Sequence, residues 1–76
     1  MRKPSTDITK ILSRNIRRLR GDMGLSQEKL AYKCGLHRTY VGAVERGERN
    51  ITLSSLELLA SALDVDVPNL LSKDSE

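Results

Sequence analysis

Aromatic residues are nearly missing from this 76-residue chain, which has two Tyr and neither Phe nor Trp. A core must therefore come from Leu, Ile, Val and Ala, the usual material of small helical bundles. A single Cys excludes an internal disulfide and points to a reducing compartment. No apolar run approaches the roughly 18 residues of a membrane span. The basic start Met1-Arg2-Lys3-Pro4 is followed by no apolar segment of the secretory kind, so a cytoplasmic location is expected, with no membrane partner. Strand-like alternation, low-complexity tracts and internal repeats are also missing, and a single domain is expected. A chain this short buries only about 60% of the surface its unfolded form exposes, so it needs economical packing or a partner.

Catalytic constellations are absent too. There is no Ser/His/Asp or Cys/His set, no glycine-rich phosphate loop and no nucleotide motif, and Asp64 and Asp66 stand beside apolar residues with nothing to form a cleft. An enzyme is not expected, nor a cofactor. Cys34 and His37 make a Cys-x-x-His pair, but two ligands are too few for a structural zinc site, which needs four. No metal is expected: Cys34 reads as a small core residue, and His37 as the N-cap or first contact residue of the helix that follows.

What is present is an asymmetric distribution of charge. The net charge is only +3. Residues 1–20, however, carry Arg2, Lys3, Lys10, Arg14, Arg17, Arg18 and Arg20 against Asp7 alone, whereas the last thirteen carry Asp64, Asp66, Asp74 and Glu76 against Lys73. A positive front half suits an approach to phosphates, and the acidic tail argues against uniform coating of DNA.

Helical periodicity organises the rest. Ile8, Leu12, Ile16, Leu19 and Met23 recur at steps of three or four, the stripe of an amphipathic helix, which starts near Pro4-Ser5-Thr6 and loosens at Gly21 and Gly24. Ser26 can cap a second helix, Gln27 to Cys34, with Leu30, Ala31 and Cys34 inward. Gly35 stands where the chain must turn through positive φ. A third helix runs from about Arg38 to Arg46, burying Val41 and Val44 with Tyr40 partly inward, and ends at Gly47. Thr52 can cap a fourth, Leu53 to Leu63. A short fifth begins at Asp66 or Val67 with Pro68 in its first turn, where a missing amide does no harm, and closes with Leu70 and Leu71. The expected layout is an N-terminal arm over 1–7, a domain over 8–72 and a frayed tail over 73–76.

Within that domain, one twenty-residue window is unusually constrained. With Gln27 in first place, Leu30, Cys34 and Leu36 fall fourth, eighth and tenth, Ala31 fifth, Gly35 ninth, and Val41 and Val44 fifteenth and eighteenth. Two helices joined by so tight a turn touch near the fifth position, where only a small side chain fits. The ninth must turn left-handed, and the others bury the small core that fixes a helix-turn-helix at roughly 90–120°. The window over 27–46 is therefore expected to be a helix-turn-helix.

The stretches Leu25-Ser26-Gln27-Glu28-Lys29-Leu30-Ala31, Arg38-Thr39-Tyr40-Val41 and Val44-Glu45-Arg46-Gly47 resemble the Cro/C1-type (Xre-like) helix-turn-helix family. The fuller pattern from His37 to Leu63 is especially similar to the controller proteins of bacterial restriction–modification systems. The resemblance covers about residues 8–72. It implies an all-α, compact five-helix, lambda-repressor-like DNA-binding domain that dimerises, with its third helix in the major groove and two such helices about 34 Å apart on a near-palindromic double-stranded operator. It also implies control of the chain's own gene and of a restriction gene, with RNA polymerase as a further partner. Prophage-type repressors and antitoxins remain alternatives within that class. A protein-interaction module that bridges transcription proteins is the alternative outside it.

Roles for single residues follow. Arg38, at the start of the third helix, can bond guanine O6 and N7 bidentately. Thr39 can touch a thymine methyl, Tyr40 can reach out with its hydroxyl, and by resemblance Arg49 reaches a base edge. Gln27 can hold a phosphate with its side chain and amide at a helix's positive end, and Arg46 and Asn50 are expected on the phosphate side. Gly42 is odd inside a helix, where Gly costs about 1 kcal/mol relative to Ala; a bare backbone there permits close approach to the groove. By resemblance, Arg20 and Glu45 form a structural salt bridge between the first and third helices. Leu53, Val65, Val67, Leu70 and Leu71 exceed what so small a core can cover, so Val65, Val67 and Leu70 are expected at a dimer interface, Val65 and Val67 foremost, the alternative being that Leu70 and Leu71 cap the chain's own core.

Overall fold

The computed structural model describes residues 5–73. Residues 1–4 of the expected arm and 74–76 of the expected tail lie outside them. The first helix, α1 (Thr6–Asp22), begins where the Ser5 hydroxyl accepts the Ile8 amide, so Thr6 and Asp7 belong to the helix rather than to an arm. It is followed by α2 (Gln27–Cys34), α3 (Arg38–Glu45), α4 (Leu53–Ala62) and α5 (Val67–Leu70), with no strand among the described residues.

The starts of α2, α3 and α4 also have a local cause. Ser26 Oγ accepts the Lys29 amide, and Thr52 Oγ1 accepts that of Ser55, each satisfying a donor that has no partner inside its helix. His37 Nδ1 accepts the Thr39 amide at 3.2 Å, so the imidazole is the N-cap of α3. Gly35 closes α2 at φ +72°, and Leu36 N returns to Ala31 O at 2.9 Å. The left-handed residue satisfies the orphan carbonyls and swings α3 across α2 within three residues.

The core consists of Leu12 and Ile16 from α1, Leu30, Ala31 and Cys34 from α2, and Val41 and Val44 from α3, closed by Leu56, Leu59, Ala60, Ala62, Leu63 and Leu70. Helix α2 lies against α3 and α4, α1 against α3 and α5, and α4 against α5. Two expectations need correction. Met23 is exposed, because α1 stops at Asp22 and turns Met23 out of the stripe. Leu70 has 0% of its surface exposed, since α5 folds it into the chain's own core, and it has no face left for a second copy.

Asn15, buried on α1, holds the last turn in place. Its Nδ2 donates to the carbonyls of Leu70 at 2.9 Å and Ser72 at 3.0 Å. On the other side, Lys33 Nζ donates to Ala62 O at 2.9 Å, a cation at the negative end of α4. Neither contact left a trace in the periodicity.

Candidate nucleic-acid interface

Because α3 buries Val41, Val44 and Glu45, it turns Arg38, Thr39 and Arg46 outward. Arg38 keeps 69% of its side chain in solvent, where its Nη1 lies 3.4 Å from Glu28 Oε2 on α2. Thr39 is exposed one residue further on, and Arg46 Nε meets Glu48 Oε2 at 3.1 Å. Tyr40 is half-buried, and the Arg49 guanidinium stands 5.0 Å above its ring, so a cation–π contact fixes both side chains at one edge of the surface. Asn50 is exposed in the same loop.

Gln27, Arg38, Thr39, Gly42 and Arg46 line one open cleft between the start of α2 and the outer face of α3. Thr6, Thr9, Lys10, Ser13, Arg46, Gly47, Glu48 and Asn50 line a neighbouring groove between α1 and the loop after α3. Arg46 belongs to both, which makes the surface continuous from Arg38 to Asn50. Among the described residues, the structure thus brings Gln27, Arg38, Thr39 and Arg46 together, sets Asn50 beside them, and stacks Tyr40 with Arg49.

Glu45 anchors α3 from behind. Its side chain is 2% exposed, and its carboxylate accepts from Arg20 Nε at 2.6 Å, Arg20 Nη2 at 3.0 Å and Gln27 Nε2 at 2.9 Å. Arg17 Nη1 donates to the Glu45 carbonyl oxygen at 2.6 Å. Hydrogen bonding to Glu45 raises the Arg20 guanidinium above its already high ordinary range, against the opposing effect of burial. Two arginines of α1 and one amide of α2 therefore meet on the last residue of α3. The charge that would otherwise face phosphates is neutralised inside the protein.

One expectation about this surface narrows and another changes. The Gln27 amino group spends one of its two hydrogens on Glu45, which turns its carbonyl the other way; for a phosphate there remain the second hydrogen and the backbone amide. Gly42 does not offer bare backbone. A Cβ built on it would stand 3.2 Å from Arg46 Nη1 and 3.4 Å from Gln27 Oε1, so neighbouring side chains already cover the place. The sequence reading missed Glu28 and Arg17, whose partners Arg38 and Glu45 stand on another helix and give no local signal, and Glu48, whose partner Arg46 is only two residues away.

Residues 16–70 match the helix-turn-helix family HTH_3. The control protein C.SmaI of Serratia marcescens is 57% identical over 67 residues, covering 88% of this chain and 80% of its own. The hypothetical transcription factor NHTF from Neisseria superposes with a TM-score of 0.88 at 45% identity, over 97% of this chain and 84% of its own. The restriction–modification controller protein C.Esp1396I, as a tetramer in complex with its natural 35 base-pair operator, superposes with a TM-score of 0.78 at 39% identity, over 88% and 87%. Among the described residues, no helix is long and apolar enough to cross a membrane.

Proposed function

Since the chain belongs to the helix-turn-helix family HTH_3, we propose that it is a sequence-specific transcriptional regulator that binds a near-palindromic operator as a homodimer and controls restriction–modification genes, its own included, in the cytoplasm. One observation carries the reading: Arg38 and Thr39 stand exposed at the front of α3, in one cleft with Gln27 and Arg46, on a helix fixed from behind by Glu45. The controller proteins among its relatives, one of them on an operator, support the same reading.

In this reading α3 enters the major groove. Arg38 bonds guanine, Thr39 lies against a thymine methyl, and Tyr40 and Arg49 reach base edges together. Arg46, Asn50 and the Gln27 amide take phosphates and set the register. Val65 and Val67, half-buried at the turn into α5, join the exposed Leu53 in meeting a second copy. RNA polymerase is the further partner through which an operator-bound regulator activates transcription.

A gel shift with the DNA upstream of the gene tests the proposal. A retarded band that survives competition by unrelated duplex is expected, and Arg38→Ala is expected to abolish that preference while general DNA affinity survives. A chain that only bridged other proteins would retard neither duplex.

A further inference from the structure

We infer that Gln27, although it stands on α2, supplies the base-reading side chain that Gly42 on α3 lacks, and that it presents a hydrogen-bond acceptor to an exocyclic amino group, adenine N6 or cytosine N4, in the major groove. The inference rests on the operator reading above and assigns a different role to a residue expected to hold phosphate.

The orientation of the Gln27 amide follows from its partner. The Glu45 carboxylate can only accept, and it lies 2.9 Å from the Gln27 amide end. The atom facing it is therefore the NH2 group, and the carbonyl Oε1 must turn the other way. That way leads over Gly42, where Oε1 sits 3.4 Å from the place a Cβ would occupy. Position 42 shares the outer face of α3 with Arg38 and Thr39, one turn further along, and all three line the same cleft as Gln27. With no side chain at position 42, the acceptor delivered from α2 fills that part of the reading surface.

Chemistry then restricts the ligand. Phosphate oxygens are acceptors and cannot pair with Oε1. In the major groove the only base donors are the amino groups of adenine and cytosine. Glu45 is itself held by two bonds from Arg20, so the amide is not free to flip and carry its NH2 group over Gly42 in place of Oε1. The buried ion pair thus selects which face of Gln27 the DNA meets.

The test uses the whole chain, its upstream operator, and operator duplexes in which single amino groups are removed in turn, with purine replacing adenine or 2-pyrimidinone replacing cytosine. For the wild-type protein, one such replacement in each half-site is expected to weaken binding about three- to tenfold, the range of one hydrogen bond. Gln27→Met, which neither donates nor accepts there, is expected to bind the intact operator more weakly and to lose nothing further when that one amino group is removed. Which base responds distinguishes adenine from cytosine. The proposal is overturned if no replacement matters to the wild-type protein, a result that does not depend on the variant folding. It is equally overturned if Gln27→Met still loses affinity when the same amino group is removed, a comparison within the variant that a general loosening of α3 leaves unchanged. A wild-type protein that bound operator and unrelated duplex equally would bring down the operator reading itself.

Discussion

A carboxylate as enclosed as that of Glu45 persists as an ion only if nearly all its lone pairs are met, and Arg20 and Gln27 meet them with three bonds. Removing one partner of such a pair strands the other. Arg20→Met is therefore expected to lower the unfolding free energy by about 3 kcal/mol, read from urea denaturation, and to weaken operator and unrelated DNA together as the fold loosens. At the other side of the core, burial pushes the Cys34 thiol up, against a small opposing effect from the Lys33 charge. The folded thiol stays protonated where the unfolded one ionises. Its contribution to stability is thus fully present below the ordinary thiol range, near pH 8.5, and is lost as pH climbs from there through the raised folded value. Alkylation of the native protein at neutral pH is expected to be slow and to accelerate once urea opens the core; rapid labelling under native conditions would contradict the burial.

Turns and helix ends test the fold at the next scale. At Gly35 a Cβ would meet nothing within 4 Å, so Gly35→Ala isolates backbone strain: a loss of about 1–2 kcal/mol is expected for a non-glycine residue held left-handed, seen as a fall in Tm of some 4–15 °C for a domain of this size. Gly42→Ala should move the other way. Helix propensity favours it by up to about 1 kcal/mol, but the new methyl presses on Arg46 Nη1 at 3.2 Å. Calorimetry is expected to show a protein as stable as wild type or more so, and a gel shift to show weaker operator binding. What could be read from residue order at this scale was what depends on local spacing. Ser26, Gly35 and Thr52 fixed the helix boundaries because capping and left-handed turns use neighbours in the chain. The small residue at Ala31 announced the crossing of α2 and α3 for a similar reason. The surface pair of Glu28 with Arg38, the Asn15 bonds to Leu70 and Ser72, and the reach of Gln27 over Gly42 join residues that only the tertiary fold brings together. Leu70 was misjudged because an apolar residue on a short helix gives the same pattern whether it fills its own core or a partner's.

The whole molecule measures 31 × 26 × 19 Å, and its longest dimension is close to the roughly 34 Å that separates successive major grooves on one face of DNA. Two copies paired through Val65 and Val67, as proposed, are together large enough to exceed that span. Sedimentation at tens of micromolar is expected to give twice the 8.5 kDa of one chain, and Val65→Asp with Val67→Asp is expected to return the single mass and abolish operator binding while far-UV circular dichroism stays helical. A lone chain at that concentration would remove the dimer.

The Glu45 anchor also bears on whether the reading unit can be transplanted. The twenty residues from Gln27 to Arg46 look self-contained, yet the angle of their second helix is set by Arg17 and Arg20, which lie outside them. A designer grafting that segment onto another scaffold would install an acid with no counter-ion, and a hybrid would keep its specificity only if both arginines, with the stretch of α1 that carries them, travelled along.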